Sequence, residues 1–198
     1  MKNIAILASG NGSNAQNIIE YFNLEKNCPP EDSGIASVKI IITNKPDAYV
    51  ITRAKNMDIP VVVFKKEELT TSPQPLLQLL KEHGIDYIIL AGYLLKIPAE
   101  LIHEYPDRII NIHPALLPAY GGKGMYGNRV HEAVIAAKEK ESGITIHLVD
   151  NEYDSGKILS QAKCSVDPED TPQSLAAKIH ELEYRNFPQT VAKYIKKG

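Results

Sequence analysis

Short apolar runs rich in Val, Ile and Leu alternate with segments whose apolar residues recur at helical spacing, and this alternation constrains the fold most. Continuous apolar runs are typical of strands buried on both faces of a parallel sheet, and the helical segments are long enough for the crossovers between them. We predict strands at Ile4–Ala8, Val38–Thr43, Pro60–Phe64, Tyr87–Leu90 and Arg108–Ile112. We predict helices at Asn14–Phe22, Ala48–Asn56 and Pro75–His83. The first half is therefore Rossmann-like, with a mostly parallel central sheet flanked by helices in an α/β fold.

The pattern changes after Pro118, where a glycine-rich loop precedes a predicted helix at Arg129–Lys138. The next two strands, Gly143–Val149 and Lys157–Val166, have no helix between them, which predicts an antiparallel pair in the C-terminal part. The triplet Asp170-Thr171-Pro172 is typical of a helix start, and we expect the last helix to run toward Gly198 with a kink near Pro188. We expect one domain over residues 1–198, with halves at 1–118 and 119–198.

Composition excludes several classes of protein. The net charge of −2 carries no basic excess, so we expect no nucleic-acid partner. Cys28 and Cys164 are too few for a disulfide framework, a zinc site or an iron–sulfur cluster, which indicates a reduced, cytoplasmic protein. The longest apolar run, Tyr87–Leu95, is about half a membrane span, and the apolar run at the N-terminus is too short for a signal peptide. We therefore expect no membrane association.

The segment Ser9-Gly10-Asn11-Gly12-Ser13-Asn14-Ala15 joins the first predicted strand to the first predicted helix and fits the pattern GxGxxA. Such glycines allow close backbone approach, and the free N–H groups of a helix start suit a phosphate. A dinucleotide site also needs an acid at the end of the second strand, where this chain has Asn44-Lys45. A phosphate monoester fits better than NAD, although a simple glycine turn with an ordinary helix start explains the pattern too.

The segment Asn111-Ile112-His113-Pro114 lies at the carboxyl end of the fifth predicted strand, where open α/β sheets bind ligands. Side chains two positions apart on a strand face the same way, so Asn111 and His113 can point into one cleft. An amide beside an imidazole suits acyl transfer, because the amide can stabilise an oxyanion and the imidazole can supply charge or move a proton. The alternative is a strand-end pair bonded only to backbone.

Two acids are candidates to complete this site. Asp154 precedes Ser155-Gly156, a tight segment that can aim a carboxylate inward, whereas Asp150 and Glu152 fit a charged surface turn better. Glu183 lies at the edge of the apolar face of the last helix, so it needs either ligand hydroxyls or a cationic partner. His180 lies one turn earlier and can help with a phosphate. His147 has an even chance of facing either side of its strand, and we rank it below His113.

Other chemistries lack their full motifs. His131-Glu132 and His103-Glu104 begin like a zinc-protease helix, but neither has a second His four residues later, so we expect no metal. The glycine segment lacks the Gly-Lys-Ser of an ATP-binding loop, and Ser9 lacks the context of a serine hydrolase.

Taken together, several of these segments resemble the phosphoribosylglycinamide formyltransferase family over nearly the whole chain. They are Ser9–Asn14, Leu90–Tyr93, Asn111–Pro114 with Leu116–Pro118, and Asp154–Gly156. The Asn-x-His-Pro and Asp motifs are shared among enzymes that use 10-formyltetrahydrofolate, whereas the glycine loop is specific to the glycinamide ribonucleotide branch. The resemblance implies formyl transfer from 10-formyltetrahydrofolate to the amine of glycinamide ribonucleotide, in purine biosynthesis and one-carbon metabolism.

The resemblance also implies a role for each site residue. Asn111, His113 and Asp154 would be catalytic. Gly12, Ser13 and Asn14 would hold the substrate phosphate in the 1–118 half, and Glu183 would hold the ribose hydroxyls. The folate cleft of the 119–198 half would be completed by six residues: Leu90, Leu95, Lys96, Ile97, Val149 and Asp150. This chain departs from many relatives in having Leu95 in place of an Arg, and the loop Gly121–Gly127 in place of a shorter one that contains His.

Three other functions stay open at this point. A redox enzyme would bind NAD at the glycine loop, and an inert folate- or nucleotide-binding module would bind without turnover. A formyltetrahydrofolate hydrolase, or another folate-dependent formyltransferase, would share the catalytic motifs. The expected partners are small-molecule substrates only, and the oligomeric state is unknown.

Overall fold

A single seven-stranded sheet organises the protein, with the strand order β3-β2-β1-β4-β5-β6-β7. The structure is a computed structural model and describes residues 1–197. Its strands are β1 (Lys2–Leu7), β2 (Ala36–Thr43), β3 (Val61–Val63), β4 (Tyr87–Leu90), β5 (Ile109–His113), β6 (Glu141–Leu148) and β7 (Ile158–Ser165). The first five strands are parallel, whereas β6 is antiparallel to both β5 and β7. The predicted fold class and all seven predicted strands are confirmed.

Helices cover both faces of this sheet. They are α1 (Ser13–Phe22), α2 (Val50–Lys55), α3 (Lys66–Thr70), α4 (Gln74–Glu82), α5 (Ala99–Glu104), α6 (Asn128–Ala136) and α7 (Pro172–Ile195). The sequence did not predict α3, α5 or the short 3₁₀ helix Pro30–Asp32. Each is at most six residues long, so helical periodicity has little length in which to show itself. None of the helices described within residues 1–197 combines the length and apolar character that crossing a membrane requires.

The core lies in two layers, one on each face of the sheet. Along β1, Ile4 and Ile6 face the layer that contains α1 and α7, whereas Ala5 and Leu7 face the layer that contains α4 and α5. All four side chains are fully buried. Burial on both faces explains why the parallel strands are continuous apolar runs rather than alternating ones.

The last helix begins as the sequence predicts. The Thr171 side chain accepts a hydrogen bond from the Ser174 N–H, and Pro172 occupies the first turn. The helix is continuous through Pro188 and ends at Ile195, with Lys196 as its C-cap, so it stops short of the predicted extension; Gly198 itself lies outside the described residues. Helix α7 packs against α1 and α6, so that it brings residues near the C-terminus beside the first βα junction.

The order of the strands reverses between β1 and β4. From β1 the chain proceeds outward to β2 and β3, whereas β4 and β5 lie on the other side of β1. The carboxyl ends of the three strands are level, because Leu7 pairs with Leu90 and Leu90 pairs with Asn111. Ligands of open α/β sheets bind at such a switch point.

Candidate functional site

A cavity of about 680 Å³ opens at the switch point. It is lined by all thirteen residues that the sequence analysis assigned to a site: Gly12, Ser13, Asn14, Leu90, Leu95, Lys96, Ile97, Asn111, His113, Val149, Asp150, Asp154 and Glu183. The cavity lies in the size range of sites for small-molecule ligands. The fold therefore brings together residues from both halves of the chain.

The glycine loop places the start of α1 at one end of this cavity. Gly12 has a φ of +78°, and a Cβ there would lie 2.8 Å from the Cα of Val50, so no other residue fits without displacing backbone. Helix α1 begins at Ser13, and among the described residues no side chain caps its first N–H groups. The helix start therefore presents free donors and its positive dipole end to an anion.

Asn111 and His147 form a cross-strand pair between β5 and β6. The Nδ2 of Asn111 lies 3.1 Å from Nε2 of His147, whose Nδ1 lies 2.8 Å from the Leu148 carbonyl oxygen. A carbonyl only accepts hydrogen bonds, so Nδ1 carries a proton, and the Asn111 amide donates toward Nε2. His147 thus faces the cavity, which strand alternation alone had left undecided.

His113 is buried with hydrogen-bond acceptors facing both of its ring nitrogens. Its Nε2 lies 2.8 Å from the Tyr120 carbonyl oxygen, and its Nδ1 lies 3.6 Å from Oδ2 of Asp154. Only the imidazolium has an N–H for both. Burial nevertheless lowers the pKa of His113, and the opposing effects of Asp154 and the Tyr120 carbonyl do not outweigh it. Burial therefore has the larger effect on the pKa of His113, and the Asp154 carboxylate only the smaller, opposing one.

Asp154 lies between His113 and His147, and a tight loop holds it in this position. Its Oδ1 is 3.7 Å from Nε2 of His147, and its Oδ2 accepts a hydrogen bond of 2.8 Å from the Gly122 N–H. A Cβ on Gly156 would lie 1.8 Å from the Leu148 carbonyl oxygen, so only glycine lets this loop pass so close to β6. Burial raises the pKa of the Asp154 carboxyl, but the two imidazoles and the Gly122 N–H lower it further, to a value below the usual one.

Glu183 reaches the cavity from α7 and is 7% exposed. Its Oε2 accepts a hydrogen bond of 3.0 Å from Nδ2 of Asn14 and lies 3.0 Å from Nδ1 of His180. The hydrogen bond to Glu183 raises the pKa of His180. The acid therefore connects α7 to the glycine loop.

Six of the thirteen residues belong to the wall that the sequence analysis assigned to folate. Leu90 and Ile97 are buried apolar side chains, and the ammonium of Lys96 lies 5.7 Å from the centre of the Tyr153 ring. Asp150 accepts a hydrogen bond of 2.7 Å from Ser155 Oγ, so its carboxylate also holds the Asp154 loop together. Within residues 1–197 there is no group of three or more His, Cys, Asp or Glu side chains that could hold a metal ion.

Sequence reasoning missed two features of the cavity. The first is His147, whose pairing with Asn111 becomes visible only once the register of β5 and β6 is known. The second is His131, a buried residue of α6 that lines the cavity and that the sequence analysis considered only as a failed zinc motif.

Comparison with known proteins agrees with this architecture. Residues 2–191 match the family described as formyl transferase. The chain belongs to the formyl transferase family. It is 42% identical over 194 residues to a chloroplastic phosphoribosylglycinamide formyltransferase of Arabidopsis thaliana, covering 96% of this chain and 64% of that relative. The corresponding protein of Bacillus subtilis is 35% identical over 194 residues, covering 96% of this chain and 93% of that one.

A solved structure extends the similarity of this formyl transferase to three dimensions. The crystal structure of phosphoribosylglycinamide formyltransferase from Bacillus halodurans superposes with a TM-score of 0.85 at 37% identity, covering 99% of this chain and 96% of that chain. The chain thus spans nearly all of these two bacterial relatives but slightly less than two thirds of the plant relative.

Proposed function

We propose that this protein transfers the formyl group of 10-formyltetrahydrofolate to the amine of glycinamide ribonucleotide, a step of purine biosynthesis. The observation that carries the proposal is that three kinds of group line one cavity. They are the uncapped start of α1, which suits a phosphate, the carboxylate of Glu183, which suits hydroxyl groups, and the cluster of Asn111, His113 and Asp154. The matching bacterial relatives of nearly equal length, which are named for this activity, support it as well.

In this proposal, different parts of the cavity bind different parts of the two substrates. The start of α1, with Gly12, Ser13 and Asn14, binds the phosphate, and Glu183 accepts hydrogen bonds from the ribose hydroxyls. The apolar wall around Leu90 binds the folate. Within one domain, we assign phosphate binding to the 1–118 half. The folate cleft and the last helix are assigned to the 119–198 half, with the first half contributing Leu90 and Leu95–Ile97 to the wall of that cleft.

Formyl transfer forms a bond between the amine nitrogen and the formyl carbon, and then breaks the bond between that carbon and the folate nitrogen. The carbonyl oxygen becomes negative in the tetrahedral intermediate. Asn111 donates a hydrogen bond to this oxygen, and His113 stabilises it in the protonated form. Burial disfavours the imidazolium form of His113 when no negative charge lies beside it. The protonated form is therefore stabilised most when the formyl oxygen becomes negative during the reaction.

One proton must also pass from the attacking nitrogen to the leaving nitrogen. Asp154 is ionised and lies beside both His113 and His147. We assign Asp154 to stabilising the imidazolium and to moving this proton through a water molecule. None of these steps requires a metal ion or a covalent enzyme intermediate.

The proposal also concerns where the protein acts and what else it could do. Both cysteines are free, which fits a reducing compartment, and we propose the cytoplasm. The nearest alternative activity is hydrolysis of formyltetrahydrofolate. The pairing of Glu183 with the glycine loop favours transfer, because hydrolysis needs no site for a phosphorylated acceptor.

The decisive experiment measures deformylation of 10-formyltetrahydrofolate with and without glycinamide ribonucleotide. We expect deformylation only when the acceptor is present, with one formylated ribonucleotide formed for each folate consumed. Equal rates with and without the acceptor would establish hydrolysis, and the absence of turnover in both arms would indicate a binding module.

A further inference from the structure

His131 is a buried histidine that the proposed mechanism does not use. It lies on α6, which packs against α7, and it lines the cavity although only 5% of it is exposed. Its Nδ1 is fully enclosed and has no hydrogen-bond partner among residues 1–197. The enclosure of Nδ1 leaves Nε2 as the ring nitrogen that a ligand in the cavity can reach.

The enclosed nitrogen determines the protonation state of this ring. An imidazolium would place an N–H on Nδ1, where nothing accepts it, and a buried unpaired donor is costly. Burial lowers the pKa of His131, with Glu183 opposing and His180 assisting. The ring is therefore neutral at neutral pH. The tautomer with the proton on Nε2 is the one that leaves no buried N–H unpaired.

The groups around His131 define what this N–H can bind. Glu183 lines the same cavity as His131, and its carboxylate only accepts hydrogen bonds. A hydroxyl group both donates and accepts, so a carboxylate beside a neutral N–H is complementary to a hydroxyl.

We infer that His131 is a specificity-determining residue that donates a hydrogen bond from Nε2 to a ribose hydroxyl of the acceptor substrate. Glu183 accepts hydrogen bonds from the same diol. The inference rests on the proposed function, because it names the recognition of the ribose within that site. It assigns this recognition to α6 as well as α7.

The test measures binding without catalysis, by titration calorimetry with glycinamide ribonucleotide in the absence of folate. The variants are His131→Leu, which removes the donor, and His131→Gln, whose side-chain amide can donate from nearly the same position. Glu132→Gln is the matched control, because Glu132 is the next residue on α6 but is exposed and does not line the cavity. Two substrate analogues, each lacking one ribose hydroxyl, complete the set.

We expect His131→Leu to weaken ribonucleotide binding about tenfold, the typical effect of one lost hydrogen bond, and His131→Gln to weaken it less. The penalty of His131→Leu should disappear with one of the two deoxy analogues, because the variant and the analogue then remove the same contact. Equal penalties for the ribonucleotide and both analogues would overturn the inference. So would unchanged binding in His131→Leu.

A second measurement needs no variant that could fail to fold. The ¹⁵N spectrum of histidine-labelled wild-type protein should show His131 neutral and protonated at Nε2, and the ribonucleotide should shift the Nε2 proton. A ring protonated at Nδ1 would contradict the inference. So would an Nε2 proton whose chemical shift does not change when the ribonucleotide is added. If wild-type protein does not bind the ribonucleotide at all, the proposed function fails instead, and the two failures are distinct.

Discussion

The Nδ2 of Asn111 lies 3.1 Å from Nε2 of His147, its partner across the antiparallel pair β5 and β6. Because His147 is anchored through Nδ1 to the Leu148 carbonyl oxygen, it fixes which way the Asn111 amide turns. The second proton on Nδ2 is then free for the developing oxyanion. His147 is therefore a positioning residue in the proposed mechanism, acting through Asn111.

Removing the His147 acceptor should reduce turnover more than binding. We expect His147→Leu to lower kcat about tenfold with KM for both substrates changed less than about twofold, because preorganised donors act mainly in the transition state. His147→Gln, which offers an acceptor oxygen, should recover part of kcat. Steady-state kinetics at neutral pH measures both. A rise in KM with kcat unchanged would contradict the positioning role.

We expect substitutions of the three proposed catalytic residues to change the rate of formyl transfer in different ways. These residues are Asn111, His113 and Asp154. Asn111→Ala and His113→Ala should each lower single-turnover formyl transfer by roughly a hundredfold or more, while both substrates still bind. Asp154→Asn removes the charge that opposes burial, so the pKa of His113 should fall further and the limb of the pH–rate profile that reports imidazolium should move to lower pH. Single-turnover rates measured across the pH range provide the comparison.

The double variant Asp154→Asn with His113→Ala tests whether these residues act as a unit. Groups that act together are strongly non-additive, so the double variant should be little slower than the slower single variant. Full additivity of the two losses, or near-normal turnover in His113→Ala, would exclude the proposed mechanism.

Substitutions in the glycine loop should weaken the binding of only one of the two substrates. We expect Ser13→Ala combined with Asn14→Ala to weaken ribonucleotide binding about tenfold or more, since donors to the charged phosphate are lost. Folate affinity is the internal control and should change little. Equal losses for both ligands, measured by calorimetry, would mean that the loop is wrongly assigned.

Replacing the buried acid on α7 separates a binding role from a structural one. Glu183→Gln should weaken ribonucleotide binding about tenfold without a large change in Tm, because Gln keeps the shape of the side chain. The pKa of His180, which Glu183 raises, should fall toward its ordinary value in an NMR titration. A lower Tm with ribonucleotide affinity unchanged would show that Glu183 is only a structural partner.

The buried histidines should make stability depend on pH. Burial lowers the folded-state pKa of His113 and His131 below 6.5, so below about pH 6.5 the unfolded chain binds more protons than the folded one. Their contribution to stability is therefore complete above the unfolded pKa and is lost as pH falls. The free energy of unfolding, measured in urea between about pH 7.5 and 5, should fall less steeply in His131→Leu than in Glu132→Gln. Identical slopes would contradict this assignment.

The sequence predicted the sheet well because its strands are buried on both faces. The run Tyr87–Leu90 admits no other role, and its bounds agree with β4. The antiparallel end was also predicted, since no helix separates β6 from β7. The short helices α3 and α5 were missed because so few residues carry little periodicity.

The sequence predicted the orientation only of those site residues for which it follows from the alternation of side chains along a strand. Asn111 and His113 face one cavity because they lie two apart on β5, as expected. The orientation of His147 depends on register, and the enclosure of His131 depends on how α6 packs against α7. The lowered pKa of His113 follows from burial in three dimensions, which no local pattern in the sequence contains.

Asn14 donates to Glu183 although the two residues are 169 positions apart in the chain. In a chain still being synthesised, the proposed ribonucleotide site is therefore incomplete until α7 has left the ribosome and docked against α1. Since a ligand stabilises only the state that binds it, the proposed acceptor substrate would stabilise the form in which α7 is docked over forms in which it is not. Under the proposed function, binding of the ribonucleotide is thereby linked thermodynamically to the docking of α7 against α1.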